Sequence, residues 1–211
     1  MKIQSIAKDY TDIKTELCEL GAIFNTDKSP YHTDEALYKH AYTGFYYEEF
    51  SAYKYKDIAI AEIGIESNAS TKMFRKFFTK ARIDLYEYIQ EKINKALEDD
   101  LWNVSYTQIN VMEDQSIKTV FGDKKYQFII DDSTHVFEDE IRIIHNCIDN
   151  LVSGGKIIIE DIFRNDAEEK YLDYLAPIED KIADITFVTT DHELEYTPGW
   201  NNSKLLVVTK K

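Results

Sequence analysis

Cysteine is scarce in this chain, with Cys18 and Cys147 the only two among 211 residues. Both lie in segments with an apolar pattern, so we expect buried free thiols in a reducing compartment rather than a disulfide or a catalytic thiol. Long apolar runs are also missing, since no segment approaches the roughly 20 residues that span a bilayer. The N-terminal residues have neither the apolar core nor the cleavage site of a secretory signal. These absences favour a cytoplasmic protein without a membrane anchor.

Positive charge is in short supply as well. The chain has 25 Lys and Arg residues against 39 Asp and Glu residues, which gives a formal net charge of −14 at pH 7. Such a field repels phosphate backbones and anionic membrane surfaces, so neither nucleic acid nor a membrane is an expected partner. A hydrophobic fraction of 44% is nevertheless enough for a globular core, and the length suits one domain, residues 1–211.

The pattern changes near residue 57. Residues 1–24 and the aromatic-rich residues 34–53 have apolar side chains at helical spacing, so we interpret residues 1–56 as a helical cap. From residue 57, apolar runs alternate with amphipathic segments, which predicts a parallel α/β sheet with helices on both faces. The predicted strands are 58–63, 82–87, 105–109, 126–132, 156–160, 184–190 and 203–209, and the predicted helices are 68–78, 89–98, 113–121, 137–151 and 166–182.

Two of these predicted strands end in pairs of acidic residues. Asp131 and Asp132 end one strand, with His135 close behind, and Glu160 and Asp161 end the next. The carboxyl ends of parallel strands meet at one edge of the sheet, where open α/β sheets bind their ligands. Hard oxygen ligands and an imidazole at that edge could hold a divalent cation with a base beside it.

A simpler explanation for these residues is helix capping. Asp132, Ser133 or Asp161 could each cap the helix that follows its strand. Capping accounts for one or two of them, but it does not require acid pairs at both strand ends or a histidine at this spacing. The pattern therefore favours the metal site.

Polar residues also follow the first three strands of the α/β region. Glu62 and Gly64 end the first strand before a helix, the layout of a nucleotide-binding turn, although one glycine is no dinucleotide fingerprint and a structural turn fits equally well. Glu87 ends the second strand and could accept hydrogen bonds from ribose hydroxyls, or be a surface acid. Asp114 and Gln115 follow the third strand and could contact an adenine edge. Together these positions favour a nucleotide site.

Four segments occur in the order of a known family pattern. They are residues 25–28 (Asn-Thr-Asp-Lys), 62–64 (Glu-Ile-Gly), 129–135 (Ile-Ile-Asp-Asp-Ser-Thr-His) and 154–161, which begins Gly-Gly and ends Glu-Asp. The chain resembles the metal-dependent sugar O-methyltransferases of the tetracenomycin and mycinamicin type and their cephalosporin-hydroxylase-like relatives. It departs from that pattern at Asn25, where the family has glycine, at Ser133 and Thr134, where it has Gly-Ser, and at Glu87, where Asp is usual.

The resemblance implies a doubly wound, mostly parallel, seven-stranded Rossmann-like sheet of the class I S-adenosylmethionine-dependent methyltransferase type, with an N-terminal helical cap and an antiparallel last strand. It also implies methyl transfer from S-adenosylmethionine, assisted by Mg²⁺ (or Mn²⁺), to a hydroxyl of a sugar or glycosylated compound. The acceptor would be a small molecule or glycan with vicinal hydroxyls. A homo-oligomer is compatible with the family.

The resemblance assigns roles by matching position. The implied metal ligands are Asp132, Glu160 and Asp161, with His135 as general base. The implied cofactor-binding residues are Glu62, Gly64, Glu87, Asp114 and Gln115. Asp131 precedes Asp132 on its strand, so its side chain starts toward the opposite face, and we expect it to cap or support the cofactor loop. Two alternatives stay open: a catechol-type O-methyltransferase acting on a phenolic small molecule, and a non-catalytic domain that keeps the fold as a binding module.

Overall fold

A single mixed sheet organises the computed structural model, which describes residues 2–34 and 38–211. Within these ranges there are eight strands and seven α-helices. The strands are β1 (Ile3–Asp9), β2 (Ala59–Ile63), β3 (Arg82–Glu87), β4 (Val104–Gln108), β5 (Tyr126–Asp131), β6 (Leu151–Ile162), β7 (Ile182–Asp191) and β8 (Lys204–Lys210). The helices are α1 (Glu16–Phe24), α2 (Tyr42–Phe50), α3 (Ala69–Phe77), α4 (Gln90–Leu97), α5 (Asp114–Phe121), α6 (Phe137–Cys147) and α7 (Glu169–Leu175).

The strand order across the sheet is β1-β7-β8-β6-β5-β2-β3-β4. Strand β8 runs antiparallel to both of its neighbours, β6 and β7, and every other pairing is parallel. The predicted parallel α/β sheet and the antiparallel last strand are therefore confirmed. The order reverses between β2 and β5, so the carboxyl ends of these two strands border the crevice in which such sheets bind ligands.

Both faces of the sheet are buried, as the near-continuous apolar strands require. On β5, Phe128 and Ile130 belong to a cluster formed with α1 to α4, whereas Ile129 belongs to a second cluster formed with α5 to α7. Consecutive residues of one strand thus serve opposite layers, in keeping with the two-residue period of a strand. Both cysteines are buried and free, as predicted.

The sequence prediction is wrong at the N-terminus, where it gave seven strands in all and a helix over residues 1–24. Residues 3–9 instead form an eighth strand, which pairs in parallel with β7 from Ile3 opposite Ile185 to Asp9 opposite Asp191. Backbone pairing at the sheet edge outweighs the weak helical spacing of a mostly exposed segment. The helix begins only after Thr15, whose hydroxyl oxygen accepts a hydrogen bond from the Cys18 amide at 3.3 Å.

Three smaller differences have local causes. Gly44 lies inside an unbroken α2, where its missing side chain leaves room for the ring of Tyr10. Residues 35–37 of the predicted 34–53 helix lie outside the described residues. Strand β6 begins at Leu151, before the Gly154 and Gly155 pair. A 3₁₀ segment at 176–181 replaces the end of the predicted 166–182 helix.

Among the described residues, none of the helices has the length and apolar character to cross a membrane.

Gly64 holds the turn after β2 directly against the turn after β5. Its φ angle is +98°, and a methyl group added there would overlap the backbone carbonyl oxygen of Asp132. The Asp132 amide donates a hydrogen bond to the carbonyl of Ile63 at 2.9 Å. A residue with a side chain would push these two turns apart.

We expect Gly64→Ala to lower the free energy of unfolding by about 2–5 kcal/mol, the sum of left-handed strain and overpacking. Gly154→Ala is the matched control, because Gly154 also has a positive φ of +73° but has nothing within 4 Å of an added methyl group. The control should lose only about 1–2 kcal/mol. Urea denaturation followed by circular dichroism measures both, and equal losses would contradict this explanation of Gly64.

Candidate functional site

A cavity of about 490 Å³ opens at the carboxyl ends of β2, β3, β5 and β6. Its wall contains Gly64, Glu87, Asp132, His135 and Asp161, so it brings together residues that the sequence analysis assigned to two different sites. The volume suits a small organic ligand. Some residues of each predicted set thus line one cavity.

Glu87 is a fixed acceptor at the end of β3. One carboxylate oxygen accepts a hydrogen bond from the Ile65 amide at 3.0 Å, and the other accepts one from the Ile89 amide at 2.9 Å. Each oxygen keeps a further lone pair. The backbone bonds therefore hold the carboxylate in place while leaving it able to bind hydroxyl groups in the cavity.

The turn between β2 and α3 achieves its shape with few glycines. Glu66 and Asn68 both have positive φ angles, 42° and 63°. The Asn68 amide group donates to Asp99 at 2.8 Å and to the Tyr106 hydroxyl at 3.0 Å, which stabilises the left-handed conformation from outside the turn. Asparagine tolerates this backbone region better than most residues.

Asp114 and Gln115 lie outside the cavity wall. Asp114 is 3.3 Å from the Arg142 guanidinium, in a separate surface groove between α5 and α6. Gln115 is exposed and donates to Thr119 at 3.1 Å. Residues 110–112, which precede α5, line the cavity instead. The chain passes the cavity before the helix begins. The sequence signal that could have identified residues 110–112 was their position immediately after the strand, not their residue types.

Asp132, His135 and Asp161 converge, with one potential ligand atom from each lying within 4.8 Å of the others. The His135 Nε2 atom is 3.9 Å from Oδ1 of Asp132 and 3.6 Å from Oδ2 of Asp161. The remaining oxygen of each carboxylate is held by the protein, that of Asp132 by Lys28 and that of Asp161 by the Tyr42 hydroxyl at 2.7 Å. Two oriented carboxylates with an imidazole beside them could hold a divalent cation and leave the imidazole as a base next to it.

Backbone strain contributes to this convergence. His135 and Asp161 both have left-handed φ angles, 53° and 61°. Such conformations cost about 1–3 kcal/mol each and cluster at functional sites. At Asp161 the strain coincides with a register shift in β6 between Ile159 and Ile162, a bulge that changes the direction of the side chains.

Glu160 faces away from the cavity into a buried ion cluster. Its two oxygens contact the Lys28 ammonium, at 2.6 Å, and the Tyr46 hydroxyl. The same ammonium contacts Asp132 and lies 3.8 Å from Glu62. Lys28 is 1% exposed. Lys28 belongs to the family segment at residues 25–28, but its role could not be predicted from the sequence, because only the folded chain brings it to these acids.

Burial shapes the charges of this cluster. Burial alone would lower the pKa of Lys28, but the carboxylates of Asp132, Glu160 and Glu62 hold that pKa well above its usual value. Burial raises the pKa of Glu160 strongly, against the pull of Lys28. Burial also raises the pKa of Glu62 and that of Asp131 to about 7 each. Lysine therefore stays charged, while the buried acids resist ionisation.

Glu62 and Asp131 lie behind the cavity wall. Neither oxygen of Glu62 accepts a hydrogen bond of standard geometry from the described residues. Asp131 accepts a hydrogen bond from the Ser133 hydroxyl at 2.5 Å and so stabilises the turn that presents Asp132. Asp131 thus supports a turn that lines the cavity, whereas Glu62 lies 3.8 Å from the Lys28 ammonium.

Comparison with known proteins identifies the fold. No family model and no curated protein matches the sequence. Solved structures that share the architecture include several methyltransferases, and the fold is the one found in class I S-adenosylmethionine-dependent methyltransferases. The sheet has eight strands where seven were predicted.

Three solved structures illustrate the likeness. MycE methyltransferase from the mycinamycin biosynthetic pathway, in complex with Mg and SAH, has a TM-score of 0.68 and 16% identity over 93% of this chain and 54% of its own. Its complex with Mg, SAH and mycinamycin VI gives 0.66 and 17%, over 94% and 55%. Fibrillarin from Aeropyrum pernix with bound S-adenosyl-L-methionine gives 0.52 and 12%, over 74% and 68%. The chain thus spans about half the length of the MycE chains.

The raised pKa of Glu62 predicts a pH dependence of stability. In the folded protein the pKa of Glu62 is about 7, whereas its ordinary value is 4.5. Between these two pH values the folded protein binds the Glu62 proton more tightly than the unfolded chain does. The free energy of unfolding should therefore fall as the pH rises through this range, by up to about 1.4 kcal/mol per pH unit for this group. Glu62→Gln should make the fall shallower. Urea denaturation at pH 4.5–7.5 measures it, with Glu91→Gln, at an exposed site, as control. An unchanged slope in Glu62→Gln would contradict the assignment.

Proposed function

We propose that this chain transfers a methyl group from S-adenosylmethionine to a hydroxyl of a sugar or glycosylated compound, with the help of Mg²⁺ or Mn²⁺. The observation that supports this most strongly is the single cavity whose wall contains both the Gly64 and Glu87 turn and the converging Asp132, His135 and Asp161. The fold shared with MycE and fibrillarin adds independent support.

The cofactor would occupy the part of the cavity beside Gly64. Gly64 leaves the space that a side chain would fill, Glu87 would accept hydrogen bonds from the ribose hydroxyls, and residues 110–112 would cover the base. S-adenosylmethionine supplies an electrophilic methyl group when bound. Glu62 and Asp131 would support this site from behind.

Asp132 and Asp161 would hold the cation through the oxygens that face His135. When bound, a divalent cation supplies a Lewis acid that lowers the pKa of a hydroxyl and fixes its orientation. His135 lies beside both carboxylates and is partly exposed to the cavity, so it is placed to take the proton from the acceptor hydroxyl. A sugar hydroxyl needs this help because it is barely ionised at neutral pH.

Aromatic side chains would position the acceptor. Tyr38, Tyr88 and Trp200 line the cavity, and Trp200 stacks on Phe163 with ring centroids 5.6 Å apart. Aromatic faces provide apolar contact area at a small entropic cost. The MycE complex with Mg, SAH and mycinamycin VI is a precedent for a small molecule bound by a protein of this fold.

A methyl-transfer assay tests the proposal. The chain is incubated with S-adenosylmethionine and Mg²⁺ or Mn²⁺ against a panel of glycosides and catechols, with and without a chelator, and products are detected by mass spectrometry. We expect methylated glycosides that disappear with the chelator. Methylation of catechols alone would replace the sugar acceptor with a phenol, and cofactor binding without any transfer would indicate a binding module.

Replacing the proposed base should separate chemistry from binding. His135→Gln should lower the single-turnover rate of methyl transfer by about 10²–10⁴-fold. The dissociation constant of S-adenosylmethionine, measured by calorimetry, should stay within about twofold, because the imidazole faces the carboxylates rather than the Glu87 turn. An unchanged rate would remove His135 from the proton-transfer role.

Replacing the proposed ribose acceptor should weaken cofactor binding. Glu87→Gln loses a charged acceptor worth about 1.5–3 kcal/mol, so the dissociation constant of S-adenosylmethionine should rise about 10- to 100-fold. Asp114→Asn is the control, because Asp114 lies outside the cavity, and calorimetry should show no change there. Weakening by the Asp114 variant alone would place the cofactor elsewhere.

A further inference from the structure

Lys28 is buried where three carboxylates meet. Its ammonium contacts Asp132 and Glu160 and lies 3.8 Å from Glu62. The residue lies on the loop between α1 and α2, and the backbone amides of Tyr42 and Thr43 donate to its carbonyl at 3.1 and 3.0 Å. Backbone bonds thus fix the loop that carries this cation into the cluster. Lysine is almost never fully buried unless it is paired.

The oxygens of the two neighbouring acids on β6 have different partners. Both oxygens of Glu160 are engaged by protein donors, one by Lys28 and one by the Tyr46 hydroxyl, and the side chain is 1% exposed. Asp161 gives one oxygen to Tyr42 and turns the other toward His135 at 3.6 Å. The bulge in β6 separates the two directions. Asp161 joins the converging ligand atoms and Glu160 does not.

We propose that Lys28 is a positioning residue of the cation site, whose ammonium holds Glu160 out of the coordination sphere, so that Asp132 and Asp161 are the two carboxylates that bind the divalent cation. This inference rests on the proposed function, since it concerns the cation of that site. It replaces the three-carboxylate set implied by the family pattern with a two-carboxylate set and a tethered ammonium.

Charge balance supports this arrangement. Lys28 and a divalent ion together carry three positive charges against the four carboxylates of Glu62, Glu160, Asp132 and Asp161, so the ammonium reduces the negative charge that the ion has to balance. A buried ammonium and a divalent ion compete for the same oxygens, and Glu160, with both oxygens in protein hydrogen bonds, would have to break them to reach the ion. A group that contacts a metal ligand, as Lys28 contacts Asp132, orients that ligand and tunes the affinity for the metal.

Matched substitutions of the two neighbouring acids test the inference directly. Mn²⁺ binding to the full chain is measured by electron paramagnetic resonance of the free ion, without acceptor, in Asp161→Asn and Glu160→Gln. Asp161→Asn should weaken Mn²⁺ binding at least tenfold, whereas Glu160→Gln should change it less than threefold. Equal weakening of both variants would overturn the inference, and so would a wild-type chain that binds no Mn²⁺. Thermal unfolding of each variant confirms that both are folded.

A second pair of variants tests the role of Lys28. In Lys28→Met the freed Glu160 should join the site, so Mn²⁺ should bind at least threefold more tightly than in wild type and raise the melting temperature more. The double variant Lys28→Met with Glu160→Gln should lose this gain. Tighter binding that survives in the double variant would contradict the role of Glu160. If Lys28→Met does not fold, the Glu160 and Asp161 pair decides the question.

The test separates this inference from the proposed function. Methyl transfer by the wild-type chain is measured with Mn²⁺ and with a chelator. Transfer that depends on Mn²⁺, together with loss of Mn²⁺ binding in Glu160→Gln, would reject the two-carboxylate site and leave the function standing. Mn²⁺ binding that follows the predicted pattern without any methyl transfer would support the two-carboxylate site and reject the proposed function.

Discussion

The buried ion cluster around Lys28 is the constraint on which the site depends. Glu62, Asp132 and Glu160 come from the ends of three strands, and carboxylates brought together at one edge of a sheet repel each other unless a cation lies among them. One ammonium links all three ends to the loop between α1 and α2. The N-terminal segment therefore does more than cover the sheet, because it supplies the charge that allows the acids to converge.

Backbone geometry then decides which acids reach the cavity. Gly64 lets the turns after β2 and β5 touch, which brings the Glu87 side of the cavity beside Asp132. The bulge at the end of β6 sends Asp161 toward His135 and leaves Glu160 in the interior. The proposed function needs this arrangement, because a cofactor beside Gly64 and an acceptor beside Asp132 would then be held together as one reacting pair.

Much of this could be predicted from the sequence, and the failures have identifiable causes. Apolar runs and amphipathic spacing predicted the α/β alternation from residue 57, and acids at strand ends indicated the edge of the sheet at which the cavity opens. Strand β1 was missed because an exposed edge strand has no apolar alternation and depends on pairing with β7. The direction of Glu160 and the role of Lys28 could not be predicted, since both depend on a bulge and on tertiary contacts. Asp114 lies outside the cavity because α5 begins there.

The most direct test of the account is a crystal structure of the chain with S-adenosylhomocysteine and Mn²⁺, with anomalous data collected at the manganese edge. The account predicts the ribose on Glu87 and one anomalous peak at coordination distance from Asp132 and Asp161, with Lys28 still paired to Glu160. A peak bound by Glu160 with Lys28 displaced, or a nucleoside bound away from Glu87, would contradict it.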